Sequence, residues 1–260
     1  MELKKLDETK VLKDPVHSYI HIHYEVIWNC LDSKEFQRLR RIRQLGGDFQ
    51  VYQTAEHSRF SHSLGVYEIV RRMVTEVKSL CVELTEYEKV CVTLAGLLHD
   101  VGHGPFSHAF EHITNHSHEE YTAKIILGNT ELNAILRAVS EKLPQDIVSI
   151  IQHTHENDIL NQIVSGQLDA DRMDYLLRDS YFTATSYGQF DLERILRTIR
   201  VRKTAEGRKV IVVKYTGIHS VEDYIMARYQ MYWQVYYPPV ASSYEAVFIQ
   251  LFNRLKDIFK

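Results

Sequence analysis

The chain has few of the residues that would fasten it covalently or hold it in a membrane. Its three cysteines, Cys30, Cys81 and Cys91, are odd in number and form no Cys-x-x-Cys pair. That excludes a disulfide framework and a thiolate zinc site, and fits reduced thiols in a cytoplasmic protein. No apolar run approaches the ~20 residues that cross a bilayer. The start, Met1-Glu2-Leu3-Lys4-Lys5, lacks the apolar core of a signal peptide. An excess of one charge is missing too: a net −3 over 260 residues gives no reason to expect an obligatory polyanionic partner. Nucleic acid is allowed as a partner but not indicated, and a membrane is not expected. Five prolines and eleven glycines leave room for long helices. The remainder, 45% hydrophobic and 25% charged, is ordinary for a globular chain long enough to bury a core.

Periodicity predicts a mostly α fold with little β structure. Residues 1–9 are charged and read as loose, and 16–23 alternate as an extended arm. A helical period runs from Glu25 to Leu45 with a break at Asp32-Ser33, and Gly46-Gly47 ends it. Apolar spacing predicts a helix from Phe60 to Val77. Thr85 and Glu88 form a capping box for a helix over Glu86–Leu98. Further helices are expected from Pro105, over 119–127, 131–141, 145–153, 158–165, 170–185 and 191–199. Residues 200–215 read as a hairpin. An aromatic helix runs over 220–236, stopped by Pro238-Pro239. Residues 248–260 are again helical, with Phe248, Leu251, Leu255 and Phe259 on one face and no stop signal. The expected layout is one domain over 1–260: a helical core over 24–190, then a hairpin and aromatic helix that read as truncated.

The chemistry gathers around His99-Asp100-Val101-Gly102-His103-Gly104-Pro105-Phe106-Ser107-His108. An apolar helix ends there in a His-Asp pair, and six of the 14 histidines fall between His99 and His118. Gly102 and Gly104 are expected to supply backbone turns, and Pro105 the first turn of a new helix. Imidazole and carboxylate without thiolate suit a divalent Mn, Fe, Co, Ni, Mg or Zn ion. Alone, His99-Asp100 is equally a polar helix end. Three other groupings join it. Arg59 and His62 share the start of a helix, where an anion is favoured, though a surface arginine and a satisfied core histidine would look the same. Asp171, Tyr175 and Asp179 fall at i, i+4 and i+8 of the next polar stripe. Asp169 is the better helix cap there, which leaves Asp171 as the better ligand. Arg228, Tyr232 and Tyr236 repeat that spacing, as either a phosphate-and-sugar face or plain core. Arg38, Arg40, Arg41 and Arg43 form a basic cluster whose default is a solvated face.

In order, these residues resemble the HD-domain deoxynucleoside triphosphate triphosphohydrolases, a family with bacterial and vertebrate members. The resemblance rests on segments 10–15, 36–46, 57–66, 98–110, 169–179 and 228–236. Its specific part is Arg-Phe-Ser-His-Ser-Leu-Gly-Val, then His-Asp-Val-Gly-His-Gly-Pro-Phe-Ser-His, then Asp-Ala-Asp-Arg-Met-Asp-Tyr. It implies an HD-type helical fold and hydrolysis of a dNTP to deoxynucleoside and inorganic triphosphate. It implies one divalent metal on His62, His99, Asp100 and Asp171, with a second Mg ion optionally accompanying the triphosphate. Arg59, His103 and Arg172 would hold phosphates, and Arg228 the outer ones. Tyr175, Asp179 and Tyr236 would frame the deoxyribose, with Tyr232 beside them, and Gln44 and Leu45 would sit by the base or sugar. His108, steered by Glu111 with His118 nearby, would be the acid at the ester oxygen. Lys10, Asp32, Gln37 and Arg40 match a regulatory pattern, implying GTP or a dNTP as activator and a homodimer or homotetramer. Two positions depart from the vertebrate pattern: Arg172 stands for Lys and Tyr232 for His. Members also usually continue past the equivalent of Lys260. The alternatives are an HD phosphodiesterase or nucleotidase acting on a monophosphate or cyclic nucleotide, and a nucleotide sensor without catalysis.

Overall fold

A computed structural model describes residues 3–258. Met1, Glu2, Phe259 and Lys260, assigned above to a loose start and a helical end, lie outside the described residues. The chain opens with two antiparallel strands, β1 (Lys5–Asp14) and β2 (Ser18–Tyr24), in register from Lys10↔Ile22 to Asp14↔Ser18. Residues 5–9 are therefore strand rather than loose. Charged side chains line this edge, while Ile20 and Ile22 reach the core.

The first helical run divides where the sequence suggests. Helix α1 (Glu25–Asp32) stops at Ser33, whose hydroxyl caps α2 (Lys34–Gln37). A 3-10 turn over Arg38–Arg41 follows, and the chain is extended by Ile42, so the helix does not reach Leu45. Arg38 donates to the carbonyls of Val101 (2.6 Å) and His103 (2.8 Å). That removes it from the solvated basic face and makes it a buttress for the HD turn.

The centre is α3 (Arg59–Glu76), α4 (Lys78–Glu83) and α5 (Glu86–Leu98), the last with the full capping box at Thr85 and Glu88. Then come α6 (His108–Thr114), α7 (His118–Leu127), α8 (Glu131–Val139), α9 (Leu143–Ile151), α10 (Asp158–Ser165) and α11 (Ala170–Phe182). Apolar faces of α3, α5, α9, α10 and α11 merge into one core that includes Ile69, Leu94, Ile147, Leu160 and Leu176. Helix α12 (Leu192–Thr198) leads into the hairpin β3 (Ile199–Lys203) and β4 (Lys209–Val213). Among the described residues no helix is long and apolar enough to cross a membrane.

Three local expectations are corrected. Pro105 does not start a helix; it lies in a turn, and α6 begins three residues later because Phe106 and Ser107 take positive φ of 64° and 53°. Gly102 and Gly104 do not supply the left-handed backbone. Gly102 is needed instead for close approach, since a β-carbon there would lie 2.2 Å from the His118 carbonyl oxygen. The aromatic helix is not uniformly α: α13 (Ile218–Met231) passes into a π turn over Tyr232–Tyr236. Pro238-Pro239 does end that segment, but Pro239 opens α14 (Pro239–Ile258), where its missing N–H costs nothing.

Candidate active site

Three helix ends converge. Ser58 caps α3, which places Arg59 and His62 on its first turn. Helix α5 ends at Leu98 and delivers His99 and Asp100. Asp169 caps α11, its Oδ1 accepting from the Arg172 N–H at 2.7 Å, which leaves Asp171 free to point inward.

His62 Nε2 lies 3.0 Å from Asp171 Oδ1 and 3.8 Å from Asp100 Oδ2. His99 Nε2 lies 3.3 Å from Asp100 Oδ1 and 3.6 Å from Asp171 Oδ1. His62, His99 and Asp100 each offer a ligand atom within 4.8 Å of the others. The opposite ring nitrogens are engaged: His62 Nδ1 with Asp174 Oδ2 at 2.8 Å, and His99 Nδ1 with the Gly96 carbonyl at 2.9 Å. Those contacts fix both rings through Nδ1 and aim their Nε2 atoms at the carboxylates, as hydrogen-bond partners behind metal-binding histidines do. His99 Nε2 is buried with no hydrogen-bond partner. An orphaned nitrogen facing two carboxylates and a second imidazole is a donor set that fits a divalent cation.

The electrostatics agree. Burial opposes charge on His62, yet hydrogen bonds to Asp171 and Asp174 outweigh it and raise its pKa to about 10. Burial likewise opposes charge on Asp171, but His62 and His99 hold it below the usual carboxylate range. Asp100 also stays well below that range despite burial, through Arg59, His99 and His103. The pocket thus attracts positive charge. Asp169 differs: burial, then the charge of Asp171, push it up to about 7.

This cluster opens into a cavity of about 830 Å³, large enough for a small-molecule ligand of nucleotide size. Within its lining Arg59 pairs with Asp100 and donates to Ser107 Oγ at 3.0 Å. His103 stacks on His118 with ring centres 3.8 Å apart. Glu111 Oε1 joins His108 Nδ1 (3.1 Å) to His118 Nδ1 (2.7 Å). The His108 side chain is 67% exposed, facing the cavity mouth. Burial first, then Arg59, depress the pKa of His103 well below the usual imidazole range. Arg172 lines the cavity and bonds back to Asp169 and the Gly166 carbonyl.

The lining also includes Gln44, Leu45, Asp48, Tyr175, Asp179, Tyr232 and Tyr236. Asp179 accepts from the Tyr236 hydroxyl at 2.8 Å and pairs with His57 Nε2 at 2.7 Å. Tyr236 meets Tyr175 and Tyr232 edge-on. Arg228 stacks over Tyr232 at 5.6 Å, just outside the cavity lining. The four residues of the regulatory pattern stand elsewhere. Arg40 Nε donates to Gln37 Oε1 at 2.8 Å and its guanidinium covers Phe60. Asp32 ends α1, and Lys10 is exposed on β1.

Sequence reasoning missed a buried layer behind His62. Asp174 accepts from Arg178 Nε at 2.9 Å and contacts His17 Nε2 at 2.6 Å, while Arg178 also bonds Asp14. Helix α3 admits this layer through Gly65, where a β-carbon would sit 1.8 Å from Asp174 Oδ1. The signal in the sequence was the run of acids in α11, in which Asp174 was given no role of its own.

Comparisons with known proteins agree with this arrangement. The family model described as "HD domain" matches residues 59–179. The uncharacterized protein YwfO of Bacillus subtilis is 52% identical over 98% of this chain and 58% of its own length. Deoxynucleoside triphosphate triphosphohydrolase SAMHD1 of Gallus gallus is 30% identical over 98% of this chain and 47% of its own length. The chain therefore spans about half to three-fifths of these relatives. A crystal structure of a phosphohydrolase from Bacteroides thetaiotaomicron superposes with a TM-score of 0.85 at 34% identity, covering 96% of this chain and 60% of that one.

Proposed function

The chain belongs to the HD-domain family, and from that premise we propose that it is a metal-dependent phosphohydrolase that cleaves deoxynucleoside triphosphates into deoxynucleoside and inorganic triphosphate. The observation that carries this reading is the pairing of a two-imidazole, two-carboxylate cluster with a cavity lined by arginine and imidazole groups and by tyrosines. His62, His99, Asp100 and Asp171 would hold one divalent ion. Bound there, such an ion supplies a water of lowered pKa and offsets charge developing on phosphorus.

The chain's own groups then divide the remaining work. Arg59, His103 and Arg172 bind the polyphosphate and align the α-phosphorus with the attacking oxygen. The bond that breaks joins the α-phosphorus to the 5′-oxygen. His108 donates the proton that this oxygen needs on departure. Glu111 fixes the His108 and His118 rings through their Nδ1 atoms. Tyr175, Tyr236 and Asp179 form the sugar's side of the cavity, and Gln44 and Leu45 the end beyond it. Lys10, Asp32, Gln37 and Arg40 we assign to an activating nucleotide in a homo-oligomer, supported by their separation from the metal cluster.

The test is incubation of purified protein with each dNTP and Mn, Mg, Co, Ni, Fe or Zn, followed by chromatography. Tripolyphosphate and deoxynucleoside are expected. Release of orthophosphate from monophosphates, with dNTPs untouched, would assign the site to a nucleotidase instead.

A further inference from the structure

The turn between β1 and β2 reaches into the ground behind the metal cluster. Asp14 accepts from the backbone N–H groups of Val16 and His17, both at 2.9 Å, which shapes the turn and aims the His17 ring inward. The His17 side chain is 4% exposed, and its Nε2 meets Asp174 Oδ1 at 2.6 Å. Asp174 uses its other oxygen for His62 Nδ1 at 2.8 Å. Arg178 grips both oxygens of Asp174 and, through Asp14, the turn itself. Asp14, His62, Asp174 and Arg178 are all buried.

The orientation of His62 therefore depends on Asp174, and Asp174 is held from two sides. Arg178 comes from its own helix, one turn on. His17 comes from the opposite end of the sequence. If His17 is lost, Asp174 Oδ1 keeps only the arginine and the carboxylate can rotate toward it. His62 Nε2 would then turn away from Asp171 and Asp100.

We propose that His17 is a positioning residue for His62, acting through Asp174, so that the N-terminal hairpin is part of the metal centre's scaffold. This rests on the reading of His62 as a ligand. Outer-shell partners of metal ligands typically contribute ~10 to 100-fold to affinity. His17 stands one bond further out, so the lower end applies.

The experiment is calorimetric titration of metal-stripped protein with Mn²⁺ alone. His17→Ala should weaken Mn²⁺ about tenfold. His17→Gln, whose side-chain amide can reach Asp174, should recover most of the loss, and the shorter His17→Asn should not. Ile20→Val loosens the same hairpin without removing a bond to Asp174, and should leave Mn²⁺ affinity unchanged. Should His17→Ala fail to fold, the contrast between the Gln and Asn variants decides. Equal affinity in all His17 variants, or an equal loss in Ile20→Val, overturns the proposal while leaving the metal reading intact. No Mn²⁺ binding by the wild-type protein overturns both.

Discussion

Each proposed ligand depends on one atom whose position the fold sets. His62→Ala, His99→Ala, Asp100→Ala and Asp171→Ala should each remove most bound metal and abolish turnover, measured by metal analysis after gel filtration. Asp169→Asn should be milder, because Asp169 caps α11 and points at Arg172. Full metal retention in Asp171→Ala would reverse that assignment. Tyr236 carries a second expectation: with its ring against the sugar, Tyr236→Ala should admit GTP and lower the dGTP-to-GTP ratio of kcat/KM, with metal content normal. A loose apolar pocket rejects an added hydroxyl by only ~10², so the fall should exceed that only if the ring acts by exclusion. Asp48 gives a pH signature. Burial, then the charges of Asp179 and Glu245, raise it from 3.8 to about 7. The folded chain thus keeps a proton that the unfolded chain has lost, so this residue's contribution to stability falls as pH rises between those values. Asp48→Asn should flatten that decline, read as the urea midpoint at about pH 5 and about pH 8. Cap residues, and the positions that meet in the proposed metal cluster, were legible because they are local or bound to a motif. Asp174, His17 and Asp14 were not, because a buried bond between positions so far apart leaves no periodicity. Arg38 hid for the opposite reason, lying in a basic run that resembled solvated surface.

Among the elements, α5 shows how local rules place a distant group. Its capping box fixes where the helix begins, and its length then fixes where His99 and Asp100 emerge. Thr85→Ala should cost about 0.5–2 kcal/mol in a thermal or urea melt, with Mn²⁺ affinity unchanged, since the damage is at the far end. The helices with clear caps and apolar stripes matched sequence expectation within about three residues at each end. Where expectation failed, the cause was backbone that side-chain spacing does not report. Positive φ at Phe106 and Ser107 delays α6, and the π turn at Tyr232–Tyr236 adds a residue to a turn at the cavity wall. Such turns recur at functional sites. The 3-10 turn bearing Arg40 makes a separate prediction. Arg40→Ala should alter nucleotide-dependent lag or mass while metal content holds, and an unchanged lag would release Arg40 to its contact with Phe60.

For the molecule as a whole, the proposed metal cluster ties together α3, α5 and α11, which also build the core. Metal should therefore stabilise the entire fold. At a hundredfold excess over Kd the gain is about 2.7 kcal/mol, a rise of several degrees in Tm for a chain this size. Chelator should reverse it, and no shift would place metal outside the folded core. The same crossing of helices has a narrower dependence at Gly65, where α3 leaves room for Asp174 and Arg178. Every other amino acid carries a β-carbon, so position 65 offers no conservative step. A library randomised there and selected for Mn²⁺ retention should return glycine alone, even though alanine is the better helix former by about 1 kcal/mol. The centre's freedom to drift is thus limited at a position that touches no metal, by a hydrogen atom for which the genetic code holds no substitute.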